Sequence, residues 1–206
     1  MAEKRVIILI TLAALLVAAL ACSPSRPAGV REEGKKATAP ATEGTPATGK
    51  EAPPLKTFTA KEGYPLAEQK AREWSPNARL YQVKAYDEVK LNGKAAAWAY
   101  YFADPEMGKS YVVVIREGKV SGTDQRGWSR MECPEIGDAT DWAIDSPEAI
   151  RIAEENGGKQ CREEGSPLLN PKLYFCNPPI EWEVYYLGCY RFLINATTGE
   201  VMLKEK

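Results

Sequence analysis

The sequence predicts an α+β fold made of two tandem units, each a helix packed on antiparallel strands, behind a leader and a linker. Three features predict it: a helical pattern, a strand with alternating large residues, and a closing strand followed by a glycine turn. They occur twice in the same order. Corresponding residues lie about 80 positions apart, which is typical of a duplicated unit. The pairs are Ala67 and Ala149, Trp98 and Trp182, and Gly118 and Gly199.

Residues 1–21 predict an export signal. Lys4 and Arg5 provide a short positive region, and the uncharged residues 6–20 follow it. At ~1.5 Å per residue this stretch would span ~22 Å as a helix, which is shorter than the ~30 Å hydrocarbon core of a bilayer. A cleaved signal sequence therefore fits better than a spanning helix.

The segment ends in Ala19, Leu20, Ala21 and Cys22, which resemble a bacterial lipobox, in which small residues precede a cysteine. The resemblance implies cleavage after Ala21 and lipidation of Cys22. It also implies the outer membrane in a Gram-negative cell, because Ser23 rather than aspartate follows the cysteine. Stable attachment takes two or more acyl chains. An ordinary secretory signal is the alternative, since Ala19 and Ala21 also satisfy the small-x-small cleavage rule.

Residues 22–56 predict a disordered linker that begins at the lipidated cysteine. Prolines recur along it, aromatic residues are absent from it, and Val30 and Leu55 are its large aliphatic residues. Such a segment does not bury enough apolar surface to offset the entropy of ordering it. As a flexible coil it would average ~30–35 Å from end to end, so the folded part would reach tens of ångströms from the membrane.

The first unit is predicted at residues 57–125. Its helix is expected at residues 65–74, because Ala67, Ala71 and Trp74 share one face at the spacing i, i+4, i+7. One strand is expected within residues 80–89. Two further strands are expected where large residues alternate: Ala96, Trp98, Tyr100 and Phe102, then Tyr111, Val113 and Ile115.

The second unit is predicted at residues 126–206. Its helix is expected at residues 146–156, with Ser146 as the N-cap, Pro147 at the first helical position and Gly157 as the stop. Two strands are expected from the same alternation as in the first unit. Their core-facing residues are Ile180, Trp182, Val184 and Tyr186, then Tyr190, Phe192 and Ile194.

An alanine-rich helix, a Trp-centred strand and a closing Thr-Gly-x-Val turn occur together in the second unit. The residues concerned are Ala149, Ala153, Trp182, Tyr190, Ile194, Thr198, Gly199 and Val201. On these residues the unit resembles a PepSY domain, although Asn195 stands where the family usually has aspartate. The first unit matches more weakly because it lacks the Thr-Gly pair. The resemblance implies an α+β fold and a binding or inhibitory role in the envelope rather than catalysis.

Four cysteines lie beyond the linker: Cys133, Cys161, Cys176 and Cys189. An even number in an oxidising compartment favours two disulfides, whereas in a reducing envelope these residues would be small apolar core residues. Cys176 and Cys189 flank the Trp182 strand, whose ends would lie ~26 Å apart, and a disulfide needs Cα atoms within ~7 Å. Of the three possible pairings, two then remain, and the one we favour of these is Cys161–Cys189 with Cys133–Cys176. No C-x-x-C pair occurs, so a zinc site is not expected.

Composition excludes several kinds of chemistry. The chain has no histidine, so Ser-His-Asp and Cys-His catalysis and the common histidine-containing zinc sites are excluded. The 27 Lys and Arg nearly balance the 28 Asp and Glu, so we expect no attraction to nucleic acid. Glu181 and Glu183 share a strand face, and we expect ordinary solvated carboxylates there rather than a catalytic pair. No cofactor and no metal are expected.

An aromatic groove is the binding site that the sequence favours. Tyr101 and Tyr185 fall on the strand faces opposite the core-facing residues, and Trp128 lies in residues 121–140, around the boundary of the two units. If those faces are open, the three residues would form an apolar groove for a peptide or a lipid. The alternative is that the aromatic residues only pack the core.

These observations predict a noncatalytic binding or inhibitory module of the bacterial cell envelope, anchored to the membrane through lipid on Cys22. Its expected partner is an extended peptide or an envelope protein segment, held at a sheet edge or on an aromatic face. The PepSY resemblance implies a protease or its propeptide as one candidate. The two alternatives are a structural component of an envelope assembly and a hydrolase that works without histidine.

Overall fold

Residues 54–131 and 133–206 are described in the computed structural model. The predicted signal peptide, the lipidation site Cys22 and nearly all of the predicted linker therefore lie outside the described residues. Within the described ranges, no helix is long and apolar enough to cross a bilayer.

The described chain contains a helix and four strands, then a second helical segment and four more strands. The first part comprises α1 (Ala60–Trp74), β1 (Arg79–Ala85), β2 (Ala97–Asp104), β3 (Lys109–Arg116) and β4 (Lys119–Gly127). The second part begins with a 3₁₀ turn (Ala139–Asp141), α2 (Ser146–Ala153), a π-helical turn (Glu154–Gly158) and α3 (Lys159–Glu163). It ends with β5 (Lys172–Tyr174), β6 (Glu181–Tyr185), β7 (Arg191–Asn195) and β8 (Val201–Glu205).

All eight strands belong to one antiparallel sheet in the order β4-β3-β2-β1-β5-β6-β7-β8. The two halves of the sheet meet where β1 pairs with β5, with Val83 opposite Leu173. The predicted α+β class is therefore confirmed, and the strands predicted for the two units share one sheet. Strands β4 and β8 were not predicted, because the alternation of large residues used to find the other strands does not occur after the turns at Gly118 and Gly199.

Helix α1 begins five residues earlier than its apolar stripe indicates. Thr59 accepts a hydrogen bond from the Glu62 N–H (3.2 Å), and the Glu62 carboxylate accepts one from the Thr59 N–H (2.7 Å). This capping box fixes the start of the helix at Ala60. The predicted start, Pro65, lies inside the helix instead.

Helix α2 is capped by Asp145 and not by Ser146, which corrects the prediction. The Asp145 carboxylate accepts the Ser146 N–H at 2.6 Å. Ser146 is fully buried, and its hydroxyl donates to the Gly93 carbonyl and accepts the Ala60 N–H. The serine thus joins the start of α2 to the start of α1. Gly157 interrupts the helix as predicted: its φ of 122° is not helical, and the chain bends there between α2 and α3.

Three tryptophans form the centre of the core between the helices and one face of the sheet. Trp142 lies edge-on to Trp182, and Trp182 lies edge-on to Trp98, with ring centroids 6.3 and 6.4 Å apart. Each ring is essentially fully buried. Each indole N–H donates to a backbone carbonyl: Trp98 to Phe58, and both Trp142 and Trp182 to Ile144. The core-facing residues predicted for β2 and β6 are confirmed.

Candidate functional site

Two disulfide bonds fix the connecting segments of the second half to the sheet. Cys133 bonds Cys176 with a Cα–Cα distance of 5.1 Å, and Cys161 bonds Cys189 with 5.8 Å. These are the pairs that the sequence favoured. The first ties the segment after β4 to the end of β5, and the second ties α3 to the turn between β6 and β7.

The three residues predicted to line a groove do not meet in the structure. Tyr101 and Tyr185 lie on the sheet face opposite the helices, on β2 and β6. The strands β1 and β5 run between them, so they are separated by at least ~14 Å. Trp128 follows β4 and is 9% exposed. The sequence placed both tyrosines on the correct face, but it did not predict the pairing of β1 with β5 that separates them.

We call the face opposite the helices the open face. Its central part is aromatic, because Tyr101 lies opposite Gln82, and Gln82 lies opposite Tyr174. Tyr81 packs edge-on against Tyr101 with ring centroids 6.1 Å apart. These four side chains are each half-buried, and burial raises the pKa of the Tyr101 hydroxyl. At least at Tyr81 and Tyr101, the aromatic part of the open face is therefore packed ring against ring.

A ladder of ion pairs crosses the open face beside the aromatic part. Glu183 binds Lys172 on β5 at 2.7 Å and Arg191 on β7 at 2.9 Å, and Arg191 also binds Glu205 on β8 at 2.7 Å. Burial acts to raise the pKa of Glu183, but the hydrogen bonds from Lys172 and Arg191 outweigh it, so that the pKa is lowered. The side chain is only 14% exposed. The expectation of an ordinary solvated carboxylate was therefore wrong for Glu183.

We predict opposite effects for two isosteric changes on β6. Glu183→Gln should lower the free energy of unfolding by about 1–2 kcal/mol at pH 7, because it removes the charge that Lys172 and Arg191 bind. The folded pKa of Glu183 lies below the ordinary value of ~4.3, so this contribution is complete above that value and is lost as the pH falls through the lowered pKa. Urea denaturation at pH 7 and near pH 3 measures both effects.

Glu181→Gln is the matched control on the same face of the same strand. Burial raises the pKa of Glu181. Ionisation of this carboxyl group therefore lowers the free energy of unfolding as the pH rises through the raised pKa. The variant should therefore be at least as stable as the wild type at pH 7. Equal losses from Glu181→Gln and Glu183→Gln would contradict the role assigned to the ladder.

Strand β4 is a long and fully exposed edge of the sheet. All nine of its residues are exposed, and within the described part of the chain it pairs only with β3. Such an edge presents a row of N–H and C=O groups that can pair with another extended chain. Ser121 forms a bulge near its start, where the register between Val114 and Ile115 shifts, so the regular part runs from Gly122 onward.

The backbone groups that β4 presents outward can be assigned from the ladder. Just beyond β4, the backbone N–H of Trp128 donates to the Gly108 carbonyl at 3.1 Å. Gly108 and Trp128 are therefore a hydrogen-bonded pair of the ladder. Bonded and non-bonded pairs alternate along an antiparallel ladder. Counting back from Trp128 along this register, Asp124 forms hydrogen bonds to β3, whereas Thr123 and Gln125 do not. The N–H and C=O groups of Thr123 and Gln125 therefore point away from β3.

The side chains beside this edge are ordered by neighbouring elements. On the helix side, Trp74 stacks on Tyr111 with ring centroids 5.0 Å apart and donates its indole N–H to the Gln125 side chain at 3.1 Å. On the open face, the Arg126 guanidinium binds the Asp124 carboxylate at 2.6 Å. An added strand would meet an aromatic wall on one side and a polar pair on the other.

The opposite edge, β8, is less suited to receive a strand. It is five residues long and carries charged groups at its end. Lys204 lies over the Tyr190 ring at 4.1 Å and donates to the Asn156 carbonyl, and Glu205 binds Arg191. Short length and charged side chains are the usual means of protecting an edge from pairing. Strand β4 also carries charged residues, but with nine residues it is the longer edge, and we take it as the candidate site.

Several acidic side chains and the four cysteines of the described residues are held in ion pairs and disulfides. Across residues 54–131 and 133–206, no group of three acidic or cysteine side chains is placed to hold a metal ion. The most buried carboxylate of the ladder, Glu183, is already bound by two cations. The four cysteines are held in disulfides. The arrangement at β4 is suited to backbone recognition.

No protein-family model matches the chain, and no curated protein matches it. Among solved structures, the chain is similar to that of a candidate lipoprotein from Clostridium difficile 630. The two share 14% sequence identity at a TM-score of 0.49, and the match covers 69% of this chain and 91% of that one. A likeness at this level carries no argument about this chain, so its function is argued from its own residues.

Proposed function

We propose that this protein is a lipid-anchored module of the cell envelope that binds an extended peptide or protein segment along β4, without catalysis. The observation that carries the proposal is the exposed nine-residue edge strand, whose outward backbone groups belong to Thr123 and Gln125. In strand addition, main-chain hydrogen bonds provide affinity and alternate side chains provide specificity. An extended segment with an apolar residue directed toward Trp74 fits this edge best.

Two features support placement outside the cytoplasm. The lipobox-like residues before Cys22 favour export and lipidation. Two disulfides in one small domain are typical of an oxidising compartment. Mass spectrometry of the mature N-terminus tests the anchor, and an unmodified Cys22 would contradict it.

The two halves of the sheet support the proposal of tandem PepSY-like units. In each half a helix precedes four strands, and a strand tryptophan donates to the segment that enters the helix: Trp98 to Phe58 and Trp182 to Ile144. The outer hairpin of each half has a register shift at the residue opposite that tryptophan, Ile115 or Ile194. An experimental structure in which residues 57–125 and 126–206 fail to superpose would contradict the duplication.

A selected peptide tests the binding site. The full chain in detergent micelles is used to select binders from a displayed library of random peptides, and the affinity of one binder is measured by calorimetry. Thr123→Pro removes one outward N–H and leaves the bonds between β3 and β4 in place, since proline is tolerated on edge strands at such positions. We expect Thr123→Pro to weaken binding at least about tenfold, because a backbone hydrogen bond is lost and the proline ring obstructs the edge.

Thr123→Ala is the matched control, because it removes the side chain and keeps the N–H. It should bind the peptide within about twofold of the wild type. The proposal fails if Thr123→Pro and Thr123→Ala bind equally well, or if selection yields no binder.

A further inference from the structure

Strand β4 has the features of an edge that pairs with a second copy of itself. It contains no proline, and its regular part lies between two glycines, Gly122 and Gly127. A Cβ atom added at either glycine would meet nothing within 4 Å among the described residues. A glycine within a strand often marks the close approach of another backbone. A second chain can therefore come near β4 at both ends of this stretch.

Two copies related by a twofold axis would pair β4 with itself in antiparallel orientation. Because the outward backbone groups of one copy must face those of the other, the axis passes through one residue, and the inner residues 123–126 are the choices. Centring on Asp124 or on Arg126 places that charged residue opposite its own copy. Centring on Thr123 gives neither charged residue a charged partner.

Centring on Gln125 brings opposite charges together on the open face. Asp124 then lies opposite Arg126 of the second copy, and Arg126 lies opposite Asp124 of that copy. Both side chains are exposed, at 53% and 66%, and they already pair with each other within one strand at 2.6 Å. Opposite charges directly across two antiparallel strands stabilise the pairing, whereas like charges destabilise it. Charge complementarity therefore favours the register centred on Gln125.

We propose that two copies of this chain pair along β4 in antiparallel orientation, with Gln125 on the twofold axis. Main-chain hydrogen bonds form at Thr123, Gln125 and Gly127 of each copy. On the helix side, the Gln125 side-chain oxygen accepts the Trp74 indole N–H, which leaves the NH₂ group of Gln125 to donate across the axis. The ladder of residues 123–127 is longer than the three residue pairs that join β1 to β5 within the chain.

This inference goes beyond the proposed function, because the pairing of two copies needs no peptide. A paired copy has no free edge at β4, so a second copy and a peptide compete for the same strand. A ladder this short forms a small interface, which is typical of transient association. A tightly bound peptide therefore displaces the second copy, and pairing protects the exposed edge until a peptide binds.

Single cysteine substitutions in the full chain test the register. The protein, in a large excess of detergent micelles, is equilibrated in a glutathione redox buffer, and disulfide-linked dimer is measured on a non-reducing gel. Gln125→Cys places the two cysteines at ~5.5 Å between Cα atoms, within reach of a disulfide. Thr123→Cys is the matched control on the same face, because its two copies lie ~14 Å apart in this register. We expect at least about tenfold more dimer from Gln125→Cys than from Thr123→Cys.

Charge reversal in the Gln125→Cys protein tests the complementarity. Arg126→Glu places only carboxylates opposite one another and should lower the dimer yield at least about fivefold. Adding Asp124→Arg restores the opposite pairs with their signs exchanged, and the yield should return to within about twofold of its starting value.

The wild type measures the background from the native cysteines. The inference is overturned if Gln125→Cys yields no more dimer than the wild type or Thr123→Cys, or if the double reversal fails to restore the yield. Because no peptide is present, such a result leaves the peptide-binding proposal standing.

Discussion

Residues 57–125, produced without the second half of the chain, are expected to be unfolded. In the intact protein Ser146 and Asp145 of the second half accept the N–H groups of Ala60 and Lys61 at the start of α1. Strand β1 would lose β5 and become a second edge. The first half contains no cysteine, so no disulfide holds it together.

The energetic argument rests on the aromatic core that the two halves share. Trp98 of the first half contacts Trp182 of the second, and Tyr64 of the first contacts Trp142. An aromatic side chain buries roughly 150–250 Å², which corresponds to ~4–6 kcal/mol at ~25 cal/mol per Å². The net stability of a domain is only ~5–15 kcal/mol. Exposing parts of several such rings is therefore enough to unfold the fragment.

Amide dispersion in ¹H–¹⁵N spectra measures the outcome for residues 57–125, for residues 126–206 and for the full chain. We expect collapsed dispersion for the first fragment and a native spectrum for the full chain. Residues 126–206 keep both disulfides and should stay compact without a cooperative thermal transition. Cooperative unfolding of residues 57–125 alone would show that the two halves are independent domains.

Trp142→Ala is expected to cause the largest loss of stability of any single truncation in the core, about 3–5 kcal/mol. The ring is 1% exposed and meets Tyr64, Phe175 and Trp182 edge-on, at centroid distances of 5.9, 6.0 and 6.3 Å. Its N–H donates to the Ile144 carbonyl at 2.7 Å. The substitution removes all of these contacts at the point where both halves meet. Urea denaturation of the full chain measures the change in the free energy of unfolding.

Trp74→Ala is the control for the removal of a tryptophan. This ring is half-buried and stacks on Tyr111 at the edge of the sheet. Its loss should cost about 0.5–1.5 kcal/mol. A loss below about 1 kcal/mol for Trp142→Ala, or losses of equal size in the two variants, would contradict the central position of Trp142.

Local sequence patterns predicted the elements well because each is fixed by nearby residues. The alternation of Trp98, Tyr100 and Phe102 and that of Trp182 and Val184 matches their burial on one face of the sheet. The stripe of Ala67 and Ala71 is likewise buried under α1. The prediction of the α1 start failed because the capping box of Thr59 and Glu62 was overlooked, although it is readable in the sequence.

The pairing of strands that are distant in the sequence could not be predicted from local patterns. The contact of β1 with β5 involves only three residue pairs, and nothing in either strand marks it locally. The sequence therefore did not place β1 and β5 between Tyr101 and Tyr185. The role of Ser146 was missed for a similar reason, since its partners Ala60 and Gly93 lie far away in the sequence.

The sequence predicted the type of binding site, a sheet edge, but not which strand would form it. A sheet edge was one of the two expected modes of binding, yet no strand was predicted after the turn at Gly118. Strand β4 lacks large apolar residues at alternate positions, so the usual pattern of a half-buried strand does not reveal it. Its polar composition is itself the consequence of lying at an exposed edge.

Hydrogen exchange at single-residue resolution tests the binding edge most directly. The amide protons of the full chain are followed with and without the selected peptide. The account predicts that exchange at Thr123 and Gln125 slows at least about tenfold, because their outward N–H groups gain acceptors, while the inward amide of Asp124 changes little. Slowing confined to Tyr101 and Tyr174 on the open face, with no change at Thr123 and Gln125, would contradict it.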